Sequence, residues 1–185
     1  MDLGLVTTLG AIGAGGVALL AKILHRRRSG LQQGPEQEVL VDYPDHDDLI
    51  SYAQNYRGCL TNLRKAYIEI TLVDDETGEE ISELLANARR LWDESSEGLK
   101  KSDSAMLLQR PETVREMATE ASSKLSDYSI AIHRAIDSIA IRETSRENHM
   151  QAAKEMYILA YRAYLDFLYV AAEIYGDDEI LRLQI

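Results

Sequence analysis

Four histidines, one cysteine and two acidic clusters are the side chains of this sequence with the most obvious chemistry. A di-iron centre in a helical bundle needs Glu-x-x-His on two core-facing helices, with further carboxylates opposite. The residues three before His46, His133 and His149 are Tyr43, Ile130 and Arg146, so the pattern is missing. Scattered histidines give no zinc spacing. His133 adjoins an apolar seam and reads as a flank residue, not a ligand. The lone Cys59 allows neither an intramolecular disulfide nor a cysteine-based zinc site, and its spacing from Tyr56 and Leu63 makes it a small core residue. Asp42, Asp45, Asp47 and Asp48 form one acidic cluster, and Asp74, Asp75, Glu76, Glu79 and Glu80 the other. Neither has the spacing of a calcium loop. Both read as solvated acid at helix starts, where the exposed N–H groups favour negative charge. There is no phosphate-cradling loop, dinucleotide fingerprint or G-x-S-x-G elbow. The sequence thus predicts no catalytic set, no cofactor and no metal.

Tyrosine is the compositional oddity, with 10 Tyr against 1 Phe and 1 Trp. Tyr157, Tyr161, Tyr164, Tyr169 and Tyr175 fall in the last helical segment. A tyrosine suits a place that is apolar along its body and wet at its tip. Most are expected to line the edge of a core with their hydroxyls reaching water. Tyr169 is the exception, because it leaves the seam marked by Phe167 and Val170, and is a candidate partner contact.

The elements that hold these residues are helices. Leu49, Ala53, Tyr56, Leu60, Leu63, Tyr67 and Ile70 follow an unbroken alternation of four and three, which predicts a helix over about 47–72 packed at a shallow angle against others. Ile81, Leu85, Ala88, Trp92, Ser95 and Leu99 form a second seam, widened by Leu84 and Leu91. Residues 102–111 connect it to the next helix, with one turn expected at 105–108. Val114, Ala118, Ala121, Leu125, Tyr128, Ile132, Ala135 and Ile139 make a third seam. Ala153, Met156, Ala160, Ala163, Phe167, Val170 and Ile174 make a fourth in the same frame.

Between these last two the frame positions are polar: Arg142, Arg146 and His149. One rod of roughly 96 Å is conceivable, but a hairpin near Thr144 fits better, because a buried seam would waste three polar residues. It would bring Ile139 near Ala153 and Val114 opposite Ile174. Thr77/Glu80, Thr113/Glu116 and Thr144/Glu147 share the spacing of a capping box, in which each side chain bonds the other's backbone N–H. They read as three reused caps and not as an internal repeat.

Residues 3–24 hold only aliphatic residues, Gly, two Thr and Lys22. As a helix they cover roughly 33 Å, enough to cross a hydrocarbon core. Lys22 can reach the headgroups, and Arg26, Arg27 and Arg28 follow as a basic flank. The charge order is the reverse of a cleaved signal peptide. The positive flank predicts that the remainder of the chain is cytoplasmic. Gly10, Ala14, Ala18 and Ala21 share one face, a candidate surface for self-association.

The expected fold is therefore all-α: a single N-terminal transmembrane helix followed by an antiparallel bundle of about four long helices. The divisions are an anchor with its basic flank at 1–28, a linker at 29–46, the bundle at 47–175 and a tail at 176–185. Net charge is −11, and the basic residues of the first thirty leave the rest more acidic still. Such a domain repels nucleic acid and anionic lipid. The apolar tail residues Leu183 and Ile185 are candidate partner contacts, able to add to a sheet edge or to fold back. The expected function is a membrane-anchored, non-catalytic interaction or scaffolding module with a protein partner or a second copy. The alternative is a membrane-tethered sensory bundle that takes a small ligand in tyrosine-lined space.

Overall fold

The acidic pair Asp47 and Asp48 opens the first helix of the described residues, α1 (Asp47–Thr71), and a 3-10 turn at Leu72–Asp75 ends it. Three more helices follow: α2 (Gly78–Lys101), α3 (Glu112–Ala140) and α4 (Arg146–Tyr175). Among the described residues a further 3-10 turn, Ile180–Leu183, follows α4. This computed structural model describes residues 47–75, 78–101, 110–141, 144–177 and 179–184. Within them the protein is an all-α four-helix bundle. The expected anchor, its basic flank, the Gly10 stripe and the turn at 105–108 lie outside the described residues. Among the described residues no helix is long and apolar enough to cross a membrane.

Each seam read from the sequence faces inward. Leu49, Ala53, Tyr56, Leu60, Leu63 and Ile70 of α1 are buried, as are Val114, Ala118, Ala121, Leu125, Tyr128, Ile132, Ala135 and Ile139 of α3. Fully burying one Leu or Ile contributes about 1.5–3 kcal/mol, so these rows supply much of the driving force. Alanines on α3 and α4 let those two helices form the most extensive interface in the bundle. Next comes the α1–α2 pair. α1 also touches α3 and α4, whereas α2 makes no substantial contact with α4 and forms the edge. Among the described side chains of α2, only Ala88, Leu91 and Ser95 are buried.

The chain turns between α3 and α4, as expected, but not by the expected device. Ser145, not Thr144, precedes the first turn of α4, and no side chain caps it. The Ser145 carbonyl accepts from the N–H groups of Asn148 and His149 at 3.0 and 3.2 Å. Thr113 likewise lies inside α3, behind Pro111, whose fixed backbone sets the helix entry without a side-chain cap. Thr77 of the third expected box lies outside the described residues.

One seam residue is misplaced. Ile174 is exposed, and Ala171 and Ala172 are buried in its stead. A straight helix drifts by about 20° per heptad against a strict seven-residue repeat, so the last turn of a long seam rotates out of the core. Aromatic contacts fix the α3–α4 register: the Tyr128 and Tyr157 rings lie 5.6 Å apart, and Arg110, just before α3, stacks over Tyr175. These contacts set the start of α3 beside the end of α4, as the hairpin requires.

Candidate functional site

Burial gathers the tyrosines where α1, α3 and α4 meet. Tyr56, Tyr128 and Tyr164 are fully buried and Tyr52 nearly so. The rings of Tyr56 and Tyr164 stack with centroids 4.7 Å apart, and Tyr52 meets Phe167 edge-on at 5.2 Å. The hydroxyls of Tyr52, Tyr56 and Tyr164 bond within the protein. Tyr52 Oη lies 2.7 Å from the Ala118 carbonyl and 2.6 Å from Ser122 Oγ. Tyr56 Oη lies 2.9 Å from the Ala160 carbonyl and 3.1 Å from that of Ala121. Tyr164 Oη lies 2.9 Å from the Leu183 carbonyl and 3.1 Å from that of Ala53.

A tyrosine at these positions hooks one helix to the backbone of another. A phenol carries one proton, so Tyr56 and Tyr164 each divide one donor between two carbonyls. This corrects the expectation of wet hydroxyls for Tyr164; Tyr157 and Tyr161, half-buried and stacked 6.1 Å apart, do sit at the edge. Loss of solvation on burial pushes the Tyr52 phenol up to about 12, and Tyr56, Tyr128 and Tyr164 well above the ordinary range. All four are neutral at any physiological pH.

The α1–α2 contact is built from small residues. The Cys59 thiol donates to the Ser95 carbonyl at 3.4 Å, and Ser95 Oγ returns a bond to the Cys59 carbonyl at 3.1 Å. A Cβ on Gly98 would meet Cys59 Sγ at 2.6 Å, so this position of α2 has room only for glycine unless the thiol moves. Burial pushes the thiol up to about 11, which keeps it protonated and a poor nucleophile. On the α2–α3 side, Trp92 Nε1 donates to the Ser129 carbonyl at 3.0 Å, and its ring covers His133 at 4.4 Å. His133 Nδ1 is 3.5 Å from Asp137, which also pairs with Arg89 at 3.4 Å.

Sequence reasoning missed Arg110. It is buried at one end of the bundle, 3.9 Å from the Asp48 carboxylate, with its guanidinium 5.8 Å from the Tyr175 ring centroid. Its place in a connection before a proline gave no signal of burial. The tyrosine hooks did leave one: Tyr52, Tyr56 and Tyr164 occupy seam or seam-flank positions where Phe would serve packing equally well.

The hollows in the described surface are open grooves. One of about 600 Å³ runs along the outside of α2 past Leu85, Arg89, Asp93 and Glu97 to Ala140 of α3. Another of about 510 Å³ lies between α1 and α2 at Glu69, Leu84 and Asn87. A third, about 280 Å³, lies at the far end beside Tyr67, Thr71, Met150 and Lys154. No three His, Cys, Asp or Glu side chains among the described residues are grouped to hold a metal ion.

Of the partner contacts read from the sequence, Tyr169 stands 52% exposed on α4. Leu183 follows the fold-back course of the two expected for the tail. It is half-buried against the core and its carbonyl faces Tyr164, so it is not a free strand. The reason is local: the tail curls into a 3-10 turn, which places Ile180 fully inside and Leu181 and Leu183 against the bundle. Ile185 lies outside the described residues, with Gly10, Ala14, Ala18, Ala21, Lys22, Arg26, Arg27 and Arg28. No protein-family model, no curated protein and no solved structure matches this chain.

Proposed function

We propose that this protein is a membrane-anchored interaction module, in which residues 3–24 cross the bilayer and the helical bundle presents the outer face of α4 to a protein partner. The observation that carries the reading is the character of α4. It is the least amphipathic of the four helices, and it leaves Ile158, Leu159, Tyr169 and Ile174 exposed. Ile158 and Tyr169 are about three helical turns apart and share a face. An outer face that sets apolar residues and an aromatic ring among charges such as Arg162 and Asp166 is what a binding surface offers. The tyrosine-lined sensory reading loses support, because the rings close on one another and their hydroxyls bond to backbone.

Capture with the full-length chain from detergent-solubilised membranes tests this. One dominant protein should be retained by the wild type, lost with Ile158→Asp or Tyr169→Asp, and kept with Glu97→Lys on the α2 face. Equal retention by all variants with unchanged helical content would remove the α4 face from the proposal. The anchor has its own test. Protease added to sealed cells should spare the bundle, and digestion would reverse the proposed cytoplasmic orientation.

A further inference from the structure

We propose that the C-terminal turn Ile180–Leu183 is a detachable strap, held by its own chain in a groove between α1 and α4 that receives a short apolar turn of the pattern Ile-Leu-x-Leu. The turn touches both α1 and α4. Ile180 is 1% exposed, and Leu181 and Leu183 lie against the core on either side of exposed Arg182.

Three features make the strap separable from the bundle it covers. The first is the shared proton of Tyr164. Its hydroxyl lies 2.9 Å from the Leu183 carbonyl of the tail and 3.1 Å from the Ala53 carbonyl of α1. When the tail leaves, the hydroxyl turns its proton to Ala53 and no buried donor is orphaned, which removes the usual polar barrier to opening. The Leu183 carbonyl goes to water.

The second feature is the end of α4, which is finished without the tail. Gly176 takes the left-handed conformation at φ 66°, and the N–H groups of Gly176 and Asp177 both bond to the Ala172 carbonyl. That closure satisfies a terminal carbonyl within the helix itself. The third feature is the tail's internal order. Asp177 Oδ1 accepts from the Glu179 N–H at 2.8 Å, Arg182 N–H donates to the Glu179 carbonyl at 3.0 Å, and Arg182 pairs with Glu179. The turn thus docks as a preformed unit, with little ordering left to do on contact.

A tethered segment on so short a connection acts at an effective concentration in the millimolar range. In cis it keeps the groove closed against a free competitor of equal quality. Lifting the strap opens the groove to the same pattern presented in trans.

The probe is a fluorescein-labelled peptide of residues 177–185, followed by anisotropy. Three proteins are compared in detergent: the full-length chain, the same chain ending at Asp177, and full-length Ile180→Asp. The chain ending at Asp177 should keep its helical circular dichroism and bind the peptide. The full-length chain should bind it at least about tenfold more weakly, because the cis strap competes. Ile180→Asp should restore binding without truncation, and a scrambled peptide should bind none of them. Loss of helix on truncation overturns the proposal, since the tail would then be a fixed part of the core. So does equal binding to full-length and truncated chains, or no binding to a truncated chain that stays folded.

Discussion

Where α1 meets α3 and α4, tyrosine hydroxyls reach across and bond to main-chain carbonyls; where α1 meets α2, the backbones close over Cys59, Ser95 and Gly98 with few large side chains between them. The first arrangement fixes axial register, because a phenol must arrive at one particular carbonyl. The second gives closeness but commits fewer buried side chains. α2 contributes three buried residues, and its Trp92 and Leu85 remain half-exposed. The comparison teaches that one bundle holds two kinds of helix contact, and that α2 should loosen first.

The largest effect is expected from breaking the tyrosine side. Tyr56→Ala removes a fully buried ring stacked on Tyr164 and should cost about 3–5 kcal/mol in urea unfolding, as for other buried aromatic truncations. Trp92→Ala, on the half-exposed α2 seam, should cost about 2 kcal/mol, toward the low end of core truncations. Native-state hydrogen exchange sharpens the contrast further. Amides of α2 should exchange through openings of lower free energy than those of α1, α3 and α4. Uniform protection across all four helices would erase the distinction.

High pH separates the two contacts by chemistry. An unfolded tyrosine titrates at 10.0, whereas burial holds folded Tyr52 up to about 12. Below pH 10 both states keep the proton and stability is untouched. Above it the unfolded chain loses the proton first, so stability falls by about 1.4 kcal/mol per pH unit for each such group. Tyr52 alone then accounts for about 2–3 kcal/mol of loss by pH 12. Tyr56, Tyr128 and Tyr164 shift in the same direction and steepen the fall. Cys59 behaves alike over a lower window, from 9.0 to about 11, and reports on the α2 contact. Stability measured from pH 8 to 11 should weaken in two stages, with Cys59→Ala removing the earlier one and Tyr52→Phe flattening the later one.

Much of this fold was legible because alternation of fours and threes is a direct image of a buried helix face. The α1 and α3 seams are inside almost residue for residue. Ile174 was not, because a seven-residue frame ignores the slow rotation of a straight helix. The hairpin was readable from Arg142, Arg146 and His149, yet its cap was not. A Thr-x-x-Glu pattern marks where a box could form, and the chain began α4 one residue later. The destination of the tyrosine hydroxyls was hidden for a different reason. Periodicity says which face is buried, but which carbonyl lies opposite depends on interhelix register. For the same reason the sequence offered two courses for the tail without choosing between them, since fold-back needs Tyr164 opposite Leu183 and the α1–α4 groove beneath Ile180.

The close α1–α2 approach can be broken at one atom. Gly98→Ala places a Cβ 2.6 Å from Cys59 Sγ, which is itself bonded to Ser95. Overpacking of this kind costs about 1–3 kcal/mol, against a helix-propensity gain of about 1 kcal/mol. A net loss near 1 kcal/mol is expected by denaturant unfolding. Cys59→Ala in the same chain removes the clash and should turn the Gly98→Ala change neutral or favourable. Additive effects of the two substitutions would show that they do not touch, and the close packing would be refuted.

The smallest effect is expected at the α3–α4 turn. A Thr that caps a helix contributes about 0.5–2 kcal/mol, and the Thr144/Glu147 spacing is that of a cap. In the structure Thr144 is exposed and one residue too early, while the first turn of α4 is closed by the Ser145 carbonyl. Thr144→Ala should therefore change stability by no more than about 0.5 kcal/mol, the range of surface substitutions. Ser145→Ala bears on the same point. Ser145 makes no side-chain cap bond, so its hydroxyl contributes no capping energy to lose. A cost above 1 kcal/mol at Thr144 would mean that α4 starts one residue earlier in solution. The turn would then be held by a side-chain cap, and inter-helix hooks would no longer be the main polar device of this hairpin. A null result at both positions, beside a large one at Tyr56, places the specificity of the bundle in its middle and not at its helix ends.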